Sequence, residues 1–301
     1  MKRSRMWLAL AVAAVLVVSV VGLTGSGPSS SSSGTGGTTA AGGATSGGAS
    51  GNVDVSGSDT MVKMAQKWAA DYMAKNSNAT ISVKGGGSGV GIAALINGTV
   101  TFADSSRKLK PEEEQQATAK GLNLKTTPVA MDGIAIIVNQ ANTVSDITTE
   151  TLGKIYRGEI TDWSQVPGAK GGKIVLLSRD NTSGTYEFMK GAVIGSSKEF
   201  AKTAKLLTST QAIVDGVGQS ADAIGYVGLG YESPSVKVVK VDGETPSITT
   251  VQSKTYALAR DLYMISNGDP TGVAKEYVDW ILGPDGQAIV KSEGFVPLPG
   301  K

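Results

Sequence analysis

Three times in this chain a short apolar segment runs into a turn of glycine, serine and threonine and then into a stretch with helical spacing. Residues 53–55 lead through Ser56-Gly57-Ser58-Asp59-Thr60 into 61–74, and residues 81–83 lead through Gly85-Gly86-Gly87-Ser88-Gly89 into 90–97. Residues 174–177 lead through Ser178, Arg179 and Asp180-Asn181-Thr182-Ser183-Gly184-Thr185 into 186–190. Strand followed at once by helix, and repeated, predicts an open α/β sheet. In such a sheet the C-terminal ends of the strands line one crevice, so turns of this kind converge on one ligand.

The third turn indicates what that ligand is. A helix N-terminus leaves backbone N–H groups unpaired and carries partial positive charge, so it can hold a small anion without catalytic machinery. The hydroxyls of Ser183 and Thr185 add donors, and Arg179 adds a planar fork suited to tetrahedral oxyanions. Ser-Gly-Thr in isolation is also an ordinary helix cap. The repetition of the pattern favours an anion cradle.

Composition removes most other chemistries. None of the 301 residues is Cys or His, which excludes thiolate nucleophiles, imidazole general bases and the usual zinc, copper and haem ligand sets. No cofactor or metal is expected. The first 26 residues carry three of the 28 basic groups and no acid, so the remainder holds 25 basic against 26 acidic residues. A near-neutral body without a basic stretch does not suit nucleic acid, which needs a phosphate-neutralising face. Anion affinity therefore has to come from local hydrogen bonds rather than bulk charge.

The N-terminus speaks to location. Lys2, Arg3 and Arg5 precede an uncharged apolar run over residues 6–23, the pattern of an export signal or of an uncleaved anchor. Leu23-Thr24-Gly25-Ser26 resembles a bacterial lipoprotein box with serine at the lipidated position, and Ser26 cannot carry a thioether lipid. Residues 27–52 are almost wholly Gly, Ser, Thr and Ala and are expected to be a disordered linker, since they bury too little surface to offset their ordering entropy. Residues 1–26 as export signal or anchor and 27–52 as tether predict an extracytoplasmic protein that meets the membrane only through its N-terminal segment.

Further along, residues 124–127, 134–138, 223–227, 236–241 and 256–265 read as strands, with 134–138 apolar enough to be buried on both faces. Residues 148–156 and 273–282 read as helices, Pro111 followed by three glutamates as a helix start, and Gly283-Pro284 as a break. Gly216-Val217-Gly218-Gln219-Ser220-Ala221 nominally fits a dinucleotide fingerprint but follows a helical segment, and the fingerprint needs a strand before it. Trp68, Tyr72 and Trp280 sit at helical spacings that suit core packing.

Taken together, the motifs resemble those of the phosphate-binding proteins of bacterial and archaeal ABC phosphate-uptake systems. Gly57-Ser58-Asp59-Thr60-Met61, Gly87-Ser88-Gly89, Thr101 through Arg107, Leu152 through Trp163, Arg179 through Thr185, and Ala223-Ile224-Gly225-Tyr226-Val227 occur in that family's order and spacing, and the resemblance covers about 53–295. It implies a type II periplasmic-binding-protein fold, with two α/β lobes on a two-strand hinge and the ligand in the cleft. Residues 53–134 and 259–301 would form lobe I, and 135–258 lobe II. It implies inorganic phosphate as ligand, held by Thr60, the Met61 backbone N–H, Ser88, Arg179, Ser183, Gly184 and Thr185, with Ser58 and Gly89 close by. It also implies delivery to the membrane permease subunits of an ABC transporter by a monomeric receptor.

One position departs from the family pattern. Where some members place an aspartate that accepts the phosphate proton, Ser106 aligns, and Asp59, Asp104 and Asp132 are candidates for a replacement acceptor. Two alternatives stay open at this point: a receptor for another tetrahedral oxyanion such as sulfate, and a phosphohydrolase or adhesion protein that reuses the fold. No nucleophile elbow or Walker A loop is present, and Ser88 has no histidine to activate it.

Overall fold

The computed structural model describes residues 50–300. The export segment, Ser26 and most of the linker expected at 27–52 lie outside the described residues. The chain forms, in order, β1 (Gly51–Gly57), α1 (Val62–Lys75), β2 (Ala79–Lys84), α2 (Ser88–Ile96), β3 (Phe102–Ser105), α3 (Pro111–Ala119) and β4 (Leu124–Asn139). β5 (Asp146–Ile147), α4 (Thr149–Tyr156), β6 (Val175–Arg179), α5 (Gly184–Met189), β7 (Lys205–Leu207), α6 (Thr210–Gln219) and β8 (Ala223–Gly228) follow. β9 (Val236–Val241), α7 (Ile248–Gln252), β10 (Ala259–Asn267), α8 (Gly272–Leu282) and α9 (Pro284–Ser292) complete it. Among the described residues no helix is long and apolar enough to cross a membrane. β1 begins at Gly51, which pairs with Ala79, so the linker boundary expected at 52 falls two residues inside the sheet.

The sheet runs in the order β2-β1-β3-β10-β4-β8-β6-β7, with β9 joining β4 and β5. β1, β2 and β3 are mutually parallel, as are β6, β7 and β8. β4 and β10 are antiparallel to their neighbours. β4 changes partners along its length, pairing with β10 up to Gly133 and with β8 and β9 from Ile134 onward. The sequence reads this segment as two strands, 124–127 and 134–138, and Pro128 stands between them. The structure keeps one strand because Pro128 stands where the β4–β10 register shifts, and a bulge tolerates a residue without an N–H. Residues 134–138 are fully buried, as their uniform apolarity predicts.

The helices cover the sheet with apolar faces. Trp68 and Tyr72 of α1 are buried, and Tyr72 meets Tyr277 and Trp280 of α8 edge-on at 5.1 and 5.6 Å. The Trp68 indole N–H donates to the Gly286 carbonyl at 2.8 Å, so these aromatics are core. Gly283-Pro284 does end α8, but Pro284 then opens α9. A proline in the first helical turn loses no intrahelical bond, and that second helix was not anticipated. The glycine pattern at 216–221 falls on the end of α6, not between strand and helix. The late strand expected at 256–265 occupies Ala259–Asn267, and the Tyr256 hydroxyl donates to the Ile134 carbonyl at 2.6 Å instead of lying in the ladder.

Candidate functional site

The turns after β1, β2, β3 and β6 meet at one place. Thr60 Oγ1 lies 2.8 Å from Thr185 Oγ1, Ser88 Oγ lies 3.3 Å from Ser106 Oγ, and the Ser106 N–H donates to Ser88 Oγ at 3.1 Å. All four residues are buried. Gly184 closes the ring, because a Cβ there would stand 2.3 Å from Ser88 Oγ and 2.6 Å from Ser106 Oγ, so any side chain would displace the hydroxyls. Four short side chains and one glycine, from turns spread over more than a hundred residues of sequence, thus make a buried cluster rich in donors, with each hydroxyl able to give or accept.

Other expected residues are placed differently. Ser183 Oγ accepts from the Thr185 and Tyr186 N–H groups at 3.2 and 3.4 Å, so it caps α5 as Ser commonly does. The Met61 N–H donates to the Ser58 carbonyl at 3.0 Å and the Met61 side chain is core. Ser58 Oγ is buried without a partner among the described residues. The Gly89 N–H donates to the Thr182 carbonyl at 3.0 Å.

Arg179 is 1% exposed and largely engaged. Its Nε donates to the Leu207 carbonyl at 3.1 Å, Nη1 to Thr210 Oγ1 at 2.7 Å and Nη2 to the Thr208 carbonyl at 2.8 Å. Two of the three candidate acceptors, Asp59 and Asp132, are also committed. Asp59 Oδ2 accepts the Thr210 N–H at 2.5 Å and stands 3.5 Å from Arg179 Nη1. Asp132 Oδ1 accepts from the Leu229 N–H at 3.0 Å, and its Oδ2 accepts from Arg260 Nε and Nη2 at 3.1 and 2.8 Å. Burial pushes the Asp132 carboxyl up, against the lowering by Arg260 and by backbone donors. Asp104 Oδ1 has no partner among the described residues, and burial alone raises this carboxyl to about 7.

Two residues escaped the sequence reading. Arg260 on β10 donates through Nη2 to Thr185 Oγ1 at 3.0 Å and through Nη1 to the Ser106 carbonyl at 3.0 Å. The signal available was a lone arginine inside an apolar strand segment, where a charge persists only if paired. Thr182 bridges the turns, its Oγ1 donating to the Gly86 carbonyl at 3.2 Å. Gly87 is required beneath it, with φ at 102° and room for a Cβ only 2.6 Å from the Thr182 carbonyl oxygen. The triple glycine therefore admits Thr182, and Ser88 alone among its neighbours faces the hydroxyl cluster.

Comparison with known proteins gives a consistent picture. The family model described as a PBP superfamily domain matches residues 42–285. The phosphate-binding protein PstS of Staphylococcus aureus (strain USA300) is 33% identical over 277 residues, covering 84% of this chain and 82% of its own. PstS of Pseudomonas aeruginosa (strain PAO1) is 29% identical over 282 residues, covering 84% and 85%. Among solved structures, a phosphate ABC transporter substrate-binding protein from Clostridium perfringens with bound phosphate matches with TM-score 0.77 and 29% identity, over 82% of this chain and 100% of that one. An ABC-type phosphate transport receptor from Vibrio cholerae matches with TM-score 0.69 and 28% identity, over 82% and 100%.

Proposed function

Because the chain belongs to the PBP superfamily and, within it, to the family of PstS phosphate-binding proteins, we propose that it binds inorganic phosphate outside the cytoplasm and hands it to the permease of an ABC uptake system. The observation that carries this reading is the convergence of Thr60, Ser88, Ser106, Gly184 and Thr185 from four strand ends onto one buried point. Arg179, Ser183, Met61, Ser58 and Gly89 frame that point. Residues 53–134 with 259–301, and 135–258, act as two lobes, with β4 and β10 as the strands on which they close over the anion. The N-terminal segment exports or anchors a monomeric receptor.

The protein acts by binding and not by turnover. Ser88 Oγ has hydroxyl and amide neighbours and no base to take its proton, so it is not an activated nucleophile. Isothermal titration with inorganic phosphate tests the reading, with tight one-to-one binding expected and absence of heat contradicting it. A phosphate-ester turnover assay is expected to stay silent.

A second reading has one observation in its favour. Asp59 and Asp132 already accept hydrogen bonds from the protein, and burial raises the Asp104 carboxyl to about 7. A site without a free carboxylate does not repel an unprotonated anion, so sulfate is the alternative ligand, and direct competition separates the two.

A further inference from the structure

Arg260 is the second guanidinium of the site, with a side chain 3% exposed. Of its five N–H groups, four are accounted for, by Asp132 Oδ2 twice, by Thr185 Oγ1 and by the Ser106 carbonyl. One N–H on Nη1 has no acceptor among the described residues. The Phe188 ring lies 5.5 Å from Cζ. Arg260 also lines a cavity of about 320 Å³ together with Arg107, Lys108, Phe188 and Tyr263.

A purely structural role explains this poorly. Arg260 and Asp132 face each other across the β4–β10 ladder, which already joins the strands from Leu124 to Gly133. A buried ion pair between strands held in this way is replaceable by apolar side chains at little cost. What an apolar pair could not do is donate to Thr185 Oγ1 and the Ser106 carbonyl, both members of the hydroxyl cluster. Arg179 is close enough for its charge to oppose that of Arg260, and each of the two guanidiniums faces one carboxylate, Asp59 and Asp132.

Building on the phosphate reading, we propose that Arg260 is a ligand-binding residue of the site, meeting the bound oxyanion through its remaining Nη1 N–H and through Thr185, and that Asp132 fixes its aim. Asp132 thereby serves as a positioning residue and not as the acceptor of a ligand proton.

The test compares the full chain with Arg260→Lys and with the double variant Arg260→Gln/Asp132→Asn, which removes both charges and keeps hydrogen-bonding groups. Melting without ligand and phosphate affinity by calorimetry are read on each. The double variant is expected to melt within a few degrees of the parent yet bind phosphate at least about 100-fold more weakly, as loss of a buried charge partner implies. Arg260→Lys is expected to fall between, because an ammonium keeps the charge and loses the planar fork. Affinity of the double variant within about threefold of the parent overturns the proposal, on the ordinary scatter of a neutral contact. If the neutral pair does not fold, Arg260→Lys decides, and parental affinity there overturns it equally. A parent that binds neither phosphate nor sulfate contradicts the functional reading and this proposal with it. A parent that binds either anion, with variants that bind it as well, contradicts this proposal alone.

Discussion

The Gly89 N–H donates to the Thr182 carbonyl oxygen at 3.0 Å, and Thr182 Oγ1 returns a hydrogen bond to the Gly86 carbonyl at 3.2 Å. This pair of bonds ties the turn after β2 to the turn after β6. Asp180 Oδ1 holds Thr182 from behind, accepting its N–H at 2.8 Å and competing at 2.5 Å with the Gly86 carbonyl for its single hydroxyl proton. Thr182 itself is exposed. In the two-lobe reading these bonds cross the cleft.

Thr182→Ala is therefore expected to leave association nearly unchanged and to speed phosphate release by about three- to tenfold, the worth of one net hydrogen bond of about 0.5–1.5 kcal/mol. Gly87→Ala should be far worse, since its Cβ would stand 2.6 Å from the Thr182 carbonyl oxygen. Stopped-flow measurement of both rate constants checks this. An unchanged release rate in Thr182→Ala removes the tie from the account.

Arg179→Ala should weaken phosphate binding by about 2–5 kcal/mol, and Arg179→Lys should recover only part of it. Its bonds to Leu207, Thr208 and Thr210 add a second expectation. The alanine variant should also melt earlier, because the N-terminal turn of α6 and Asp59 lose a shared partner. Calorimetry together with melting separates the two effects. Parental affinity in Arg179→Ala would place this guanidinium outside the binding machinery.

Asp104 makes a pH prediction. Burial raises its folded carboxyl to about 7, against about 3.9 in an unfolded chain. The folded state then holds the proton more tightly. Its contribution is fully present below about pH 4, is lost as pH rises through about 7, and changes no further above that. Asp104→Asn, which keeps the shape and cannot ionise, should match the parent near pH 4 and melt higher at pH 8. Parallel melting curves for parent and variant from pH 4 to 8 would show that Asp104 does not titrate in this range.

The alternation of strand, glycine turn and helix was legible because its causes are local. Gly57, Gly87 and Gly184 sit where the backbone needs them, and the hydroxyls beside them point to one crevice. Arg260 was not legible, because its meaning depends on Asp132 facing it from a strand over a hundred residues away. The single strand β4 was hidden by Pro128, whose cost disappears only once β10 supplies a register shift. Ser183 shows the opposite limit. The same serine serves an anion cradle and a helix cap, and only its geometry relative to Tyr186 reveals the cap.

Truncation tests the start of the folded body. A chain beginning at Ser50 keeps Gly51 paired with Ala79 and the Gly51 N–H on the Asn78 carbonyl at 3.2 Å, and should melt and bind as the full chain does. A chain beginning at Val53 loses two ladder residues of β1 and should melt measurably lower. Equal melting of both would mean that residues 51–52 contribute nothing to the sheet.

The most direct test of the central claim is competition calorimetry with phosphate and sulfate on the parent and on Asp59→Asn, Asp104→Asn and Asp132→Asn. Rejecting sulfate requires an acceptor for the phosphate proton, and an unpaired buried acceptor can support discrimination of about 10⁴-fold. With Asp59 and Asp132 already holding protein donors, the Ser106 hydroxyl, 3.3 Å from Ser88 Oγ, is the candidate acceptor within the cluster. The account predicts that the parent prefers phosphate and that Asp104→Asn keeps this preference unchanged. It predicts that Asp59→Asn and Asp132→Asn weaken phosphate and sulfate alike, without altering their ratio. Equal affinity of the parent for the two anions would contradict the assignment of phosphate as ligand, and loss of the preference in one aspartate variant alone would return the acceptor role to that residue.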